Sequence, residues 1–238
     1  MLAQESYLKT RISEIFSSLQ GEGVYVGQRH LFIRFEGCHL DCVYCDEKNK
    51  KGREWTLQEV LEEVERLESA SGPHAYVSLT GGEPLCELEF LKRLIPELKE
   101  RGHKIYLETN GVLWQALAQI IQDCDCIAMD MKLSCVSGTE DWMVEHKRFL
   151  EVARAKNVLI KLAISRDLQF ENYERLIRMI AVAEIQVPVI LQPVSTSGSE
   201  GHEDPELMSM LQSLQSFGAK WIRDIRVVPR LHRILKIR

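Results

Sequence analysis

Short apolar runs alternate with longer stretches in which apolar residues recur at helical spacing. The runs predict strands over 30–36, 75–80, 104–109, 126–131, 158–164 and 187–192. Between them, 57–67 places Leu57, Val60, Leu61, Val64 and Leu67 on one helical face, and 88–99, 114–121, 141–155, 173–183 and 205–217 read similarly. Strands alternating with helices imply βαβ crossovers and a parallel sheet, open or rolled into a barrel.

The strands are not apolar on both faces. Successive residues face opposite sides, so Leu31, Ile33 and Phe35 share a face suited to packing helices while Arg34 lies on the other. Thr80, Glu108, Asp130, Lys161 and Gln192 likewise fall on the polar side of an apolar strand, usually near its C-terminal end. Burying such a group without a partner costs roughly 1–3 kcal/mol. Their recurrence points to a polar pocket at the C-terminal mouth of a curved parallel sheet with helices outside. Local pairing, or exposure in loops, is the competing reading.

Composition narrows the class. The 238 residues, 45% of them hydrophobic, suffice for one sizeable core, and no repeat or Pro-rich linker divides 1–238 into further domains. With 30 Lys+Arg against 35 Asp+Glu the net charge is −5, and no basic stripe suggests nucleic acid as the main partner. No run of 18 apolar residues predicts a transmembrane helix, and the N-terminus lacks an apolar signal core, so no membrane is implied and the cytoplasm is the default location. The most charged stretch, 46–54, reads as a solvated loop.

Seven cysteines are present, three of them within Gly37-Cys38-His39-Leu40-Asp41-Cys42-Val43-Tyr44-Cys45-Asp46, directly after the first predicted strand. Clustered thiols in a chain of this kind point to metal or redox chemistry rather than to disulfides. Zinc would want a fourth ligand. His39 offers one, though its place beside Cys38 makes joint ligation awkward. A 4Fe–4S cluster held by three cysteines instead leaves one iron open for a ligand. Gly81-Gly82-Glu83-Pro84 follows the second strand, where glycine lets backbone approach a ligand closely; a plain β-to-α turn is the alternative. Cys86, Cys124, Cys126 and Cys135 read either as free thiols or, with poorer spacing, as an auxiliary cluster.

The C-x3-C-x2-C spacing, the aromatic Tyr44 before the third cysteine and the GGEP segment resemble the radical S-adenosylmethionine (radical SAM) superfamily. That resemblance implies a partial (β/α)6 barrel, a 4Fe–4S cluster on Cys38, Cys42 and Cys45, and S-adenosylmethionine chelating the fourth iron. Ile15-Phe16-Ser17-Ser18-Leu19-Gln20-Gly21-Glu22-Gly23, the run Phe32–Cys38, Leu107-Glu108-Thr109-Asn110-Gly111, Leu191-Gln192-Pro193 and Arg226–His232 extend the likeness over the whole chain. They resemble the branch that converts 6-carboxy-5,6,7,8-tetrahydropterin to 7-carboxy-7-deazaguanine in queuosine biosynthesis, for tRNA modification. In that branch an adenosyl radical removes hydrogen from C6, the ring contracts, ammonia leaves and SAM is regenerated.

The resemblance implies roles residue by residue. Arg34 binds the substrate carboxylate, a task suited to a guanidinium, or else pairs with Glu36. Leu19, Gln20, Gly21 and Glu22 contact the pterin, or form only a turn. Thr80 and Gln192 reach the substrate, with His232 a weaker pocket candidate. Tyr44, Asp46, Gly82, Glu108, Met131, Lys132 and Leu133 seat SAM; core packing for Tyr44, exposure for Lys132 and a buried network for Glu108 are the alternatives. Where the family carries Thr or Ser to hold Mg²⁺ there is Glu47, whose carboxylate can ligate Mg²⁺ or simply begin the charged loop. The implied partners are an electron donor such as flavodoxin and a second copy in a homodimer, although no heptad seam supports the latter. A glycyl-radical enzyme activating enzyme with the same cluster, and a non-enzymatic iron–sulfur or zinc protein, are the competing functions.

Overall fold

The computed structural model describes residues 8–183, 186–195 and 203–237. Residues 1–7, part of the N-terminus read above as lacking a signal core, lie outside the described residues. The chain runs β1 (Lys9–Leu19), β2 (Arg29–Phe35), β3 (Arg53–Thr56), α1 (Leu57–Ser71), β4 (Tyr76–Gly81), α2 (Leu88–Glu100), β5 (Ile105–Thr109), α3 (Trp114–Ile120), β6 (Cys126–Met131), α4 (Ser134–Ser137), α5 (Met143–Ala153), β7 (Asn157–Ile164), α6 (Phe170–Val182), β8 (Val189–Pro193), α7 (Pro205–Gly218), β9 (Ile225–Val227) and α8 (Leu231–Leu235).

All six expected strands are present, as β2 and β4 to β8, each parallel to the next. The crossover helices form where the periodicity placed them. Helix α1 shows why it starts and stops there. The Thr56 hydroxyl accepts from Glu59 N (3.3 Å) while the Glu59 carboxylate accepts from Thr56 N (2.8 Å), a reciprocal capping box. Gly72, at φ 79°, then ends the helix.

Three further strands escaped the pattern. β1 lies antiparallel to β2, but a register shift between Ile12 and Glu14 breaks its period of two, as a bulge does. β3 begins at the last two residues of the charged stretch expected to be loop and pairs Lys9–Ile12 with Arg53–Thr56 at the sheet edge, where charged side chains reach solvent. β9 spans three residues, too few to register as a period. The sheet order is β3-β1-β2-β4-β5-β6-β7-β8-β9. Among the described residues its ends do not pair, so this α/β fold is a partial (β/α)6 barrel with strands added at both edges.

The outer face of the sheet, with Leu31, Ile33, Phe35, Val77, Leu79 and Leu107, packs against the helices. Inside the barrel a smaller apolar floor of Tyr106, Cys126, Ala128, Leu159 and Ile190 closes the N-terminal end. The cavity lies above that floor. Cys124 and Cys126 are buried free thiols whose pKa values burial pushes up to about 12. Cys86 and Cys135 are free thiols too, and among the described residues no cysteine belongs to a group of three side chains that could hold one metal ion. Among the described residues, no helix is long and apolar enough to cross a membrane.

Candidate active site

The cysteine loop springs from the C-terminal end of β2. Cys38 and Cys45 are exposed, Cys42 is buried, and all three line one cavity of about 240 Å³ at the barrel mouth. Cys38 Sγ accepts from Leu40 N (3.4 Å) and from Asn110 Nδ2 (3.7 Å); burial raises its pKa, and these two donors oppose the rise. His39 faces elsewhere, its Nδ1 3.5 Å from Cys86 Sγ. Among the described residues no three His, Cys, Asp or Glu side chains converge to hold one metal ion, and His39 is not among the residues that line the cavity with the three cysteines.

The glycines after β4 serve the loop itself. Gly82 N donates to Phe35 O (2.9 Å) and Glu83 N to Gly37 O (2.8 Å), and a Cβ on Gly82 would overlap the Gly37 carbonyl. Behind them Glu83 is fully buried. It accepts from Thr109 Oγ1 (2.8 Å), Asn110 N (2.7 Å) and Leu85 N (3.1 Å), linking the end of β5 to the cysteine loop. Burial raises its pKa to about 7 against the pull of these donors.

The polar strand positions converge as expected, largely as ion pairs. Glu22 meets Lys161 in a very short contact. Burial would raise its carboxyl, yet Lys161 holds it down at about 2. Lys132 Nζ sits 2.9 Å from Asp130 and 5.5 Å from the Tyr44 ring centre, and the negative groups around it keep it protonated despite burial. Among the described residues Glu108 has no cationic partner within an ion-pair distance; it accepts from Gln20 Nε2 (2.8 Å) and Thr80 Oγ1 (3.0 Å).

Arg34 does not pair with Glu36, which instead binds Arg11 and Gly52 N. Its Nη1 is 2.8 Å from Glu47 Oε1, and its Nε is 3.5 Å from Glu14 without a hydrogen bond. Glu47 therefore faces the cavity rather than beginning a solvated loop. One wall is aromatic: Phe16 and Phe32 stack at 5.0 Å and 13° as cross-strand partners.

The C-terminal segment closes one side. Arg230 and Arg233 both reach Asp46 Oδ2 (2.7 and 2.6 Å), Leu231 N donates to Gly21 O (2.8 Å), and the His232 ring fills the space where Gly21 lacks a side chain.

Leu19, Gln20, Gly21, Glu22, Arg34, Tyr44, Asp46, Glu47, Thr80, Gly82, Glu108, Lys132 and Gln192 all line the cavity with the three cysteines, and His232 joins them. Met131 and Leu133, also expected beside SAM, are not among the lining residues: both side chains are buried in the helix-side core. Sequence reasoning missed Phe16, Phe32, Asn110 and Arg230 as lining residues, Glu83 as the support of Asn110, and Glu14 as a carboxylate near Arg34. Phe16 and Phe32 were discoverable from strand phase, had β1 been recognised. Glu83 carried only a motif position.

A barrel of this order with three thiols at the end of its first parallel strand is the architecture of radical SAM proteins. The Radical SAM superfamily model matches residues 32–181. The chain is 34% identical over 244 residues to a 7-carboxy-7-deazaguanine synthase of Geobacter sulfurreducens, covering 94% of this chain and 96% of that protein. It is 30% identical to one of Methanothermobacter thermautotrophicus, covering 97% and 99%. The crystal structure of QueE from Escherichia coli superposes with a TM-score of 0.65 at 19% identity over 97% and 98% of the two chains, a likeness of fold. The chain belongs to the radical SAM superfamily and, within it, to the family of the 7-carboxy-7-deazaguanine synthases.

Proposed function

We propose that this chain is a 7-carboxy-7-deazaguanine synthase, a single-domain cytoplasmic lyase of queuosine biosynthesis and hence of tRNA modification. It would convert 6-carboxy-5,6,7,8-tetrahydropterin to 7-carboxy-7-deazaguanine with loss of ammonia. The observation that carries this reading is one cavity holding three cysteine thiols, a guanidinium, a donor-bonded carboxylate and an aromatic wall.

The residues fit the implied groups. Cys38, Cys42 and Cys45 face one space, and the N–H donors on Cys38 suit a thiolate ligand of a 4Fe–4S cluster. A cluster held there would supply the electron that cleaves S-adenosylmethionine for hydrogen abstraction from C6 of the substrate.

The chain's own residues bind and orient. Arg34 takes the substrate carboxylate in exchange for Glu47. Glu108 and Glu22 accept from the amino-pyrimidine edge of the pterin, while Gln20, Thr80 and Gln192 supply complementary polar atoms, and Gln192 Nε2 is buried without a partner. Leu19 and Gly21 add backbone contacts, and the Phe16–Phe32 wall suits a flat ring. Lys132 offers a cation to the SAM carboxylate, beside Tyr44, Asp46 and Gly82. Glu47 Oε2, buried and unpartnered, is the oxygen left for Mg²⁺, whose other ligands would be water and substrate. A flavodoxin-like donor and a homodimer complete the proposal.

A glycyl-radical activating enzyme would need a groove open to a protein loop. Here the C-terminal segment closes one side of the cavity, fastened by Arg230, Arg233 and Leu231. The deciding experiment supplies reconstituted protein with the carboxytetrahydropterin, SAM and reductant under anaerobic conditions. The deazapurine should form without stoichiometric loss of SAM; a fully loaded cluster with no turnover refutes the function.

A further inference from the structure

We propose that His146, a side chain outside the cavity, is a positioning residue that fixes Lys132 against the carboxylate of S-adenosylmethionine. This rests on reading the cavity as a radical SAM site with Lys132 as the cation beside SAM. His146 lies on α5 and is 1% exposed. Its Nδ1 is 2.9 Å from Gly111 O, and Lys132 N donates to its Nε2 at 2.9 Å. A carbonyl only accepts and a backbone amide only donates, so Nδ1 carries the proton and Nε2 offers a lone pair. That is a single tautomer of the neutral ring, and burial favours the neutral form.

Both bonds lie where the sheet has stopped. β5 pairs with β6 as far as Thr109 and Met129, and β6 with β7 as far as Met131 and Leu162. Gly111 and Lys132 come after these last pairs, where ladder bonds no longer hold the strand ends together. His146 ties them instead. On one side, Gly111 follows Asn110, which lines the cavity and donates to Cys38 Sγ. On the other, Lys132 lines the same cavity with its ammonium 2.9 Å from Asp130. Lys132 is thereby held at both ends, its Nζ by Asp130 and its main chain by His146. The ring has little freedom: a Cβ at Gly111 would come within 3.3 Å of its Nδ1 and 2.7 Å of Met129 Cε. Without the ring the Lys132 amide loses its acceptor. An unsatisfied buried donor costs roughly 1–3 kcal/mol, so the segment should shift to satisfy it and carry the ammonium along.

The test uses the full chain, its cluster reconstituted under anaerobic conditions, without pterin. Equilibrium dialysis reads the dissociation constant of SAM per loaded cluster. His146→Leu keeps the bulk, loses both bonds and should weaken SAM binding about tenfold. His146→Gln keeps one donor and one acceptor and should bind within about threefold of the parent. Lys132→Met should also weaken binding about tenfold. Adding His146→Leu to it should change little further, because the imidazole acts through the lysine. In the apoprotein, ring-nitrogen NMR shifts should report the neutral Nδ1–H tautomer of His146. Should His146→Leu not fold, the Gln variant and the ring shifts carry the test. Parent-like SAM affinity in His146→Leu or Lys132→Met overturns the positioning role. So does a full further loss when the two are combined, a Gln variant as weak as the Leu one, or an Nε2–H ring. A parent that binds no SAM fails the radical SAM reading itself; a parent that binds SAM no better than its variants fails only the role of His146.

Discussion

Glu22 and Lys161 lie 139 positions apart and meet inside the barrel, each losing its water to do so. Such a pair is a poor source of net stability, but breaking it strands a buried charge. Glu22→Gln should lower the unfolding free energy, from urea titration, by about 3–5 kcal/mol. Glu22→Gln with Lys161→Met should recover most of that loss, since no charge then remains. A single variant as stable as the parent would mean that Lys161 finds water or another carboxylate. Sequence phase placed Lys161 on the polar face of its strand, but nothing local distinguishes a paired lysine from a ligand-binding one. The partner comes from a loop beside a different strand.

At the scale of elements, the cysteine loop is held by the turn after β4. Two backbone hydrogen bonds join Phe35 and Gly37 to Gly82 and Glu83, and they leave no room for a Cβ at Gly82. Gly82→Ala should therefore displace the loop, and iron bound per chain after reconstitution should fall severalfold while circular dichroism still reports a folded barrel. Full iron loading would show that the loop tolerates the shift. The motif was legible in the sequence, where its glycine was read as letting backbone approach a ligand; the close approach in the structure is to the cysteine loop itself. The capping box at Thr56 was equally local, and α1 begins there. β1 was hidden because its bulge reverses the alternation midway, and with it went the Phe16–Phe32 wall.

For the whole molecule, two buried carboxyls oppose each other in pH. Glu22 is held near 2, below its ordinary 4.5, so its contribution is present above pH 4.5 and lost as pH falls toward 2. Glu83 is raised to about 7, so the stability of its neutral form is complete below pH 4.5 and lost as pH rises through 7. The apoprotein should be most stable near pH 4.5–5 on account of these groups, with Glu83 removing about 3 kcal/mol by pH 8. Denaturant midpoints between pH 5 and 8 should show that fall, and Glu83→Gln should flatten it. An unchanged slope in the variant would place the titration elsewhere.

Read alone, the chain settled the layer order, the six parallel strands, their crossover helices and the site of the thiol loop. These follow from periodicity and spacing over a few neighbouring residues, where local sterics and burial act. Assembly of the barrel settled who neutralises whom. Arg34 faces Glu47 rather than Glu36, Met131 and Leu133 turn into the core, and Asp46 gathers arginines from the far end of the chain. Coulomb energy depends on separation in space, and separation in space between distant segments exists only once the strands have curved around a common interior.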